Sequence, residues 1–103
     1  MVSALEEAKL AQQAGEVPVG AVIVREGQVL ASAYNQKESQ CDVSAHAEIL
    51  AIREAAVVLG DWRLFGAVLY SSLEPCLMCT GAILHARLKR VVFAARDHFL
   101  LVC

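Results

Sequence analysis

Two hydrophobic periods divide this chain into alternating helical and extended segments. Leu5, Ala8 and Ala11 or Gln12 recur at helical spacing behind Ser3-Ala4-Leu5-Glu6, a capping-box sequence, and Gly15 stands where that helix has to stop. Val19 to Val24 is a short apolar run, Glu26-Gly27 is a hairpin turn signal, and Val29 to Tyr34 returns, which predicts two antiparallel strands. Asn35 to Val43 is polar and breaks both periods, so it reads as a loop. A second helix follows, with Ser44 as N-cap, His46 in its first turn, Ile49, Leu50, Arg53 and Val57 along it, and Gly60 at its end. Ala67 to Ser71 forms the next strand, Pro75 suits the first position of a third helix reaching about Ala86, and Val91 to Ala95 makes a fourth strand. Strand, helix, strand in that last stretch is a crossover unit, implying parallel neighbours in a sheet covered by helices. No repeat, linker or low-complexity segment interrupts the pattern, so residues 1–103 read as a single α/β domain.

Composition narrows the setting. A chain of 103 residues buries roughly two thirds of the surface its unfolded form exposes, enough for one core. Hydrophobic residues make up 57% and the mean hydropathy is +0.51, an excess that predicts a buried interface. No apolar run approaches the ~20 residues a bilayer span needs, and Glu6 and Glu7 interrupt any secretory apolar segment, so a cytoplasmic protein without membrane contact is expected. The net charge of −2 gives no global basic field. Arg87, Lys89, Arg90 and Arg96 nevertheless cluster in sequence, either as a phosphate-contacting patch or as a solvated helix end.

Four cysteines in such a setting argue for metal or thiols before disulfides. Cys76 and Cys79 lie three apart at the start of a helix and so share one face, within the positive end of the helix dipole, which favours the thiolate that zinc requires. His46 is likewise at a helix start. One imidazole and two thiols leave the fourth zinc position to water, the count of a catalytic site; Cys41, Cys103, His85 and His98 offer no matching fourth ligand at tight spacing. Two helix N-termini, each following a strand or hairpin, can converge on one edge of the sheet. Glu48 has two readings. Residues two apart on a regular helix diverge, so it is either a solvated carboxylate facing the dipole or a base that reaches back to the metal. Trp62 and Phe65 read as core anchors in preference to base-stacking platforms.

His46-x-Glu48 followed by Pro75-Cys76-x-x-Cys79 is a signature of zinc deaminases acting on nucleobases. Beyond it, the chain resembles the bacterial tRNA-specific adenosine deaminases from about Glu16 to Asp97. The resemblance runs through Glu16-Val17-Pro18-Val19-Gly20-Ala21, Asn35, Ser44-Ala45-His46-Ala47-Glu48, Leu73-Glu74-Pro75-Cys76-Leu77-Met78-Cys79 and Ala95-Arg96-Asp97. It implies a three-layer α/β/α cytidine deaminase-like fold with a mixed sheet, in which the first two strands form an antiparallel hairpin and the last two run parallel through a helix. It implies one Zn2+ per chain on His46, Cys76 and Cys79, with Glu48 as proton shuttle. It also implies substrate contacts from Asn35, Ala47, Glu74, Arg96 and Asp97. On sequence alone Asn35 also reads as an ordinary turn residue ending a strand, Glu74 as a helix-start acid, and Arg96 or Asp97 as a solvated strand end.

The implied reaction is hydrolytic deamination of adenosine to inosine at the wobble position of a tRNA anticodon loop, with hydroxide made available at zinc. A free guanine or cytosine base or nucleoside deaminase, and a truncated non-catalytic zinc-binding subunit, are the alternatives. Members of the resembled family continue past Ala-Arg-Asp with a Gly-rich loop, a further strand and C-terminal helices. This sequence has His98-Phe99-Leu100-Leu101-Val102-Cys103 there instead, so the last strand and helices are expected to be missing, the fourth strand to be an uncovered edge, and a homodimer to cover it.

Overall fold

The structure is a computed structural model and describes residues 1–96. Its order is α1 (Val2–Gln13), β1 (Gly20–Arg25), β2 (Gln28–Tyr34), α2 (Ala47–Leu59), β3 (Val68–Leu73), α3 (Leu77–His85) and β4 (Arg90–Ala95). The four strands form one sheet in the order β2-β1-β3-β4. β1 pairs antiparallel with β2 and β3 pairs parallel with β4, as the hairpin and crossover readings require, and β1 also pairs antiparallel with β3. Arg25 opposite Gln28 leaves Glu26 and Gly27 as a two-residue turn, both at positive φ (52° and 77°), the turn whose twist matches paired strands. Leu30 is an extra residue on β2, since Ile23 faces Ala31 while Val24 faces Val29.

Strand alternation assigns the two faces of the sheet. Ala21, Ile23 and Leu69 belong to a core completed by Ala47, Ala51 and Ala55 of α2 and by Cys79 and Ile83 of α3. Gly20 lies on the opposite face, against α1: a Cβ there would overlap the Ala4 carbonyl oxygen and the Ala8 nitrogen. That approach explains why Ala4, Ala8 and Ala11 are the buried residues of α1, while Leu5, expected on the packing face, is 44% exposed. Alanine alone leaves room for a helix so close to a strand.

Helix starts differ from the capping pattern in all three cases. Ser3 lies inside α1 and Met1 is the N-cap, without a side-chain cap bond. Helix α2 has His46 as its N-cap residue in place of Ser44, and α3 has Cys76, with Pro75 one residue before that cap. Ser44 is turned instead toward Asp42, whose Oδ1 accepts both the Ser44 N–H and its hydroxyl at 2.9 and 2.7 Å.

Helix ends, in contrast, follow one rule. The Glu16 N–H reaches back to the Ala11 carbonyl and that of Gly15 to Gln12; Asp61 and Gly60 do the same with Ala56 and Val57. Leu88 and Arg87 repeat it with Ile83 and Leu84. Each is a Schellman closure, which needs a left-handed residue at its pivot. Gly15 and Gly60 supply it freely at φ 78° and 68°, whereas Arg87 is forced to φ 63°. Trp62 and Phe65, read as core anchors, are 57% and 60% exposed. Leu64 between them is the anchor, wholly buried with its N–H on the Ala86 carbonyl at 2.7 Å. Its burial turns both aromatic neighbours outward.

Two stability outcomes follow from this packing. Gly20→Ala forces α1 off the sheet and is expected to lower unfolding free energy by about 3 kcal/mol or more in urea titration, because both clashing atoms are backbone. Arg87→Gly relieves the left-handed penalty at the entropic expense of glycine, for a net gain of roughly 0.5–1 kcal/mol by the same measurement.

Candidate metal centre and active site

Register places the chemistry at one end of the sheet. Gly20 faces Tyr34, Ala21 faces Ser71 and Leu73 faces Ala95, so the carboxyl ends of β2, β3 and β4 lie together with the start of β1. Open α/β sheets bind ligands at such an edge. Asn35 follows β2, Cys76 follows β3 and Arg96 follows β4, while the loop from Asn35 delivers His46 to the start of α2.

His46 and Cys76 have extended backbones (φ −76°, ψ 152° and φ −71°, ψ 177°), and neither side chain turns back to cap its own helix. Both point instead at a common centre. Cys76 Sγ is 3.5 Å and Cys79 Sγ 3.4 Å from His46 Nδ1, and the three ligand atoms all lie within 4.8 Å of one another. The three side chains are 6%, 5% and 0% exposed. A zinc ion with Zn–S of about 2.3 Å and Zn–N of about 2.0–2.1 Å at tetrahedral angles sets nitrogen and sulfur about 3.6 Å apart, so the donor set fits the ion. The positive ends of two helix dipoles face the same point, which suits anionic sulfur. Among the described residues this is the one cluster able to hold a metal.

Glu48 is completely buried, which removes the solvated reading. The objection from helical periodicity also falls away. His46 is the residue before the helix, so the 100° step between helical positions does not govern the angle between it and Glu48. A carboxylate withdrawn from water is tolerated where a proton or a cation accompanies it, and the cluster two residues earlier is built for a cation.

Asn35 is 1% exposed. Its N–H donates to the Val19 carbonyl at 3.0 Å, extending the β1–β2 ladder, and its Oδ1 accepts the Lys37 N–H at 3.0 Å. That second bond fixes the amide orientation, and leaves the Nδ2 group buried with no hydrogen-bond partner among the described residues. Ala47 is fully buried as the first residue of α2. Glu74 is half-buried and donates its N–H to the Ala95 carbonyl at 2.7 Å, tying the metal-bearing turn to the end of β4. Arg96, next in sequence, is exposed; Asp97, Cys103 and the apolar segment 98–103 lie outside the described residues.

The basic cluster is split by the fold. Arg96 follows the last residue of β4, whereas Arg87, Lys89 and Arg90 precede or begin that six-residue strand, roughly 20 Å away. His85, at the exposed end of α3, is remote from the ligand set, in keeping with its position in a last helical turn.

One residue's role was not legible in the sequence. Glu16, 6% exposed, accepts the Glu38 N–H on Oε1 at 2.9 Å and the Ser39 N–H on Oε2 at 2.7 Å. Burial pushes its carboxyl up, but these bonds and the Lys37 ammonium outweigh burial and hold it below the usual carboxylate range. Its partners are main-chain groups 22 and 23 residues away, for which no sequence signature exists.

Comparison with known proteins agrees with this geometry. Residues 1–95 match the cytidine and deoxycytidylate deaminase zinc-binding region. The chain is 52% identical over 97 residues to the tRNA-specific adenosine deaminase of Bacillus subtilis, covering 94% of this chain and 60% of that protein. It is 50% identical over 94 residues to the Aquifex aeolicus enzyme of the same name, covering 91% and 62%. It therefore spans about three fifths of the length of these curated relatives. A structure from studies of A-to-I editing by tRNA:A34 deaminases superposes with TM-score 0.92 at 49% identity, over 94% of this chain and 75% of that one. Guanine deaminase from Bacillus subtilis superposes with TM-score 0.88 at 46% identity, over 90% and 60%. With its three ligands on two helix starts, its buried glutamate and its mixed sheet, the chain belongs to the cytidine and deoxycytidylate deaminase zinc-binding family.

Proposed function

We propose that this chain carries the catalytic centre of a zinc-dependent deaminase that converts adenosine to inosine at the wobble position of a tRNA anticodon loop. The observation that carries the reading is a set of three ligands among the described residues, with a fully buried carboxylate two residues from one of them. The names of the relatives above support adenosine in tRNA as the substrate.

His46 Nδ1 and the Cys76 and Cys79 sulfurs would hold zinc, which when bound acts as a Lewis acid that makes water ionise near neutral pH. Glu48 would take a proton from the attacking water on a carboxylate oxygen. It would deliver that proton to the ring nitrogen as the water oxygen adds to the carbon bearing the amine, and would then carry the remaining proton of the added hydroxyl to the amine, which leaves as ammonia as the carbonyl forms. Adenosine and water thus balance inosine and ammonia. Burial of Glu48 keeps bulk water from exchanging the proton between these transfers. Asn35 offers its fixed Nδ2 donor to an acceptor on the base edge, the partner that this group lacks among the described residues. A base held in a stack cannot reach a site this buried, so an unpaired loop nucleotide is the fitting substrate. Ala47 and Glu74 border the ligands in sequence, and Arg96 at the same edge, with Asp97 next in the chain, would contact the substrate there.

The likeness to guanine deaminase gives a second reading, a free purine base in place of RNA. The protein's setting is cytoplasmic, where thiols stay reduced, and no described helix is long and apolar enough to cross a membrane. It works as a homodimer. Leu77 and Leu84 are 66% and 68% exposed beside Phe93, around a groove of about 400 Å³ between α3 and the edge strand β4, a surface that a second copy would cover.

Two measurements decide these points. Glu48→Gln should bind one zinc per chain, as the parent does, while ammonia release from an adenosine-bearing anticodon stem-loop falls about 10³-fold. Release from free guanine but not from the stem-loop establishes the base deaminase instead, and equal inertness of parent and variant on both establishes a non-catalytic zinc domain. Leu84→Asp should convert a dimer into a monomer in sedimentation velocity; a parent chain that sediments as a monomer at high concentration removes the homodimer.

A further inference from the structure

We propose that Glu16 is a positioning residue that holds Asn35, through the loop between them, in the orientation that meets the substrate. The inference rests on the deaminase reading of Asn35.

The connection runs through consecutive bonds. Gly15 closes α1 with a left-handed turn, and the closure bond from the Glu16 N–H to the Ala11 carbonyl, 2.9 Å, fixes the Glu16 backbone at the mouth of β1. From there its carboxylate spans to the N–H groups of Glu38 and Ser39. The residue just before them, Lys37, donates its N–H to Asn35 Oδ1, so the loop segment that Glu16 grips is the one that sets the Asn35 amide. The same loop is tied across its base, Gln36 N–H to the Ala45 carbonyl at 2.9 Å, directly before the ligand His46.

Among the described residues the Glu38 and Ser39 N–H groups bond to no side chain but Glu16, and two charge-assisted bonds from one buried carboxylate are stronger than neutral ones. Releasing them frees the Lys37 N–H to leave Oδ1. The Asn35 amide can then rotate, and the donor that should await the base is no longer aimed.

Glutamine is the informative replacement. It keeps the size of Glu16, but its amide has one acceptor oxygen and presents a donor to the second N–H, so only one of the two bonds survives. In the ¹⁵N-labelled, zinc-loaded full chain, Glu16→Gln should speed amide exchange about tenfold at Lys37, Glu38 and Ser39, leave Ile23 and Leu69 unchanged, and shift the Asn35 side-chain amide resonances. Zinc should remain at one per chain, and KM for the anticodon stem-loop should rise about tenfold with kcat within about twofold. Glu16→Asp retains the charge but is a methylene shorter, should give smaller changes of the same kind, and carries the measurements if the glutamine variant does not fold.

Unchanged Lys37 exchange and unchanged Asn35 amide resonances in the folded variants overturn the proposal. So does acceleration at Ile23 and Leu69 equal to that in the loop, which makes Glu16 a general stabiliser. If the parent chain acts on neither RNA nor a free base, the deaminase reading fails by itself, while the exchange and resonance data still decide whether Glu16 holds Asn35.

Discussion

A helix cap whose side chain does not cap is the constraint on which the site depends. An N-cap residue has extended backbone and ordinarily folds its side chain back over the exposed N–H groups of its own helix. His46 and Cys76 take that backbone but send imidazole and thiol away from their helices, toward each other. Each ligand therefore leaves its helix at an angle that no helical position provides, and only Cys79 is drawn from the helical turn proper. The dipoles left uncapped at both starts become part of the electrostatics of the metal site.

The sheet makes that meeting possible. Because β1 runs against β3 and β3 runs with β4, the end where α2 and α3 begin also receives the segment before β1 and the segments after β2 and β4. Alanines at 47, 51 and 55 bring α2 close to the core, and the absence of a side chain at Gly20 brings α1 equally close from behind. Small residues on both faces keep the domain thin, so side chains from separate elements converge over a few ångströms with little main chain between them.

Helix ends serve the same purpose less visibly. The closure at Gly15 aims Glu16, the one at Gly60 leads into the turn that buries Leu64, and the one at Arg87 directs the chain into β4. Glycine signals at the first two positions were readable because few other residues tolerate that conformation. The third was not, because arginine adopts it only under the tertiary demand that β4 pair with β3.

Residue type and spacing by themselves determined the strands, the two pairing directions, the metal and its three ligands, since periodicity and ligand chemistry are local properties of the chain. Tertiary structure decided the rest. It chose His46 over Ser44 as the cap, buried Glu48, turned Trp62 and Phe65 outward around Leu64, and separated Arg96 from Arg87, Lys89 and Arg90 along one strand. It also joined Glu16 to main-chain groups more than twenty residues away. In each case the outcome depends on which backbone groups and surfaces meet across the sheet, and a linear pattern carries no information about that distance.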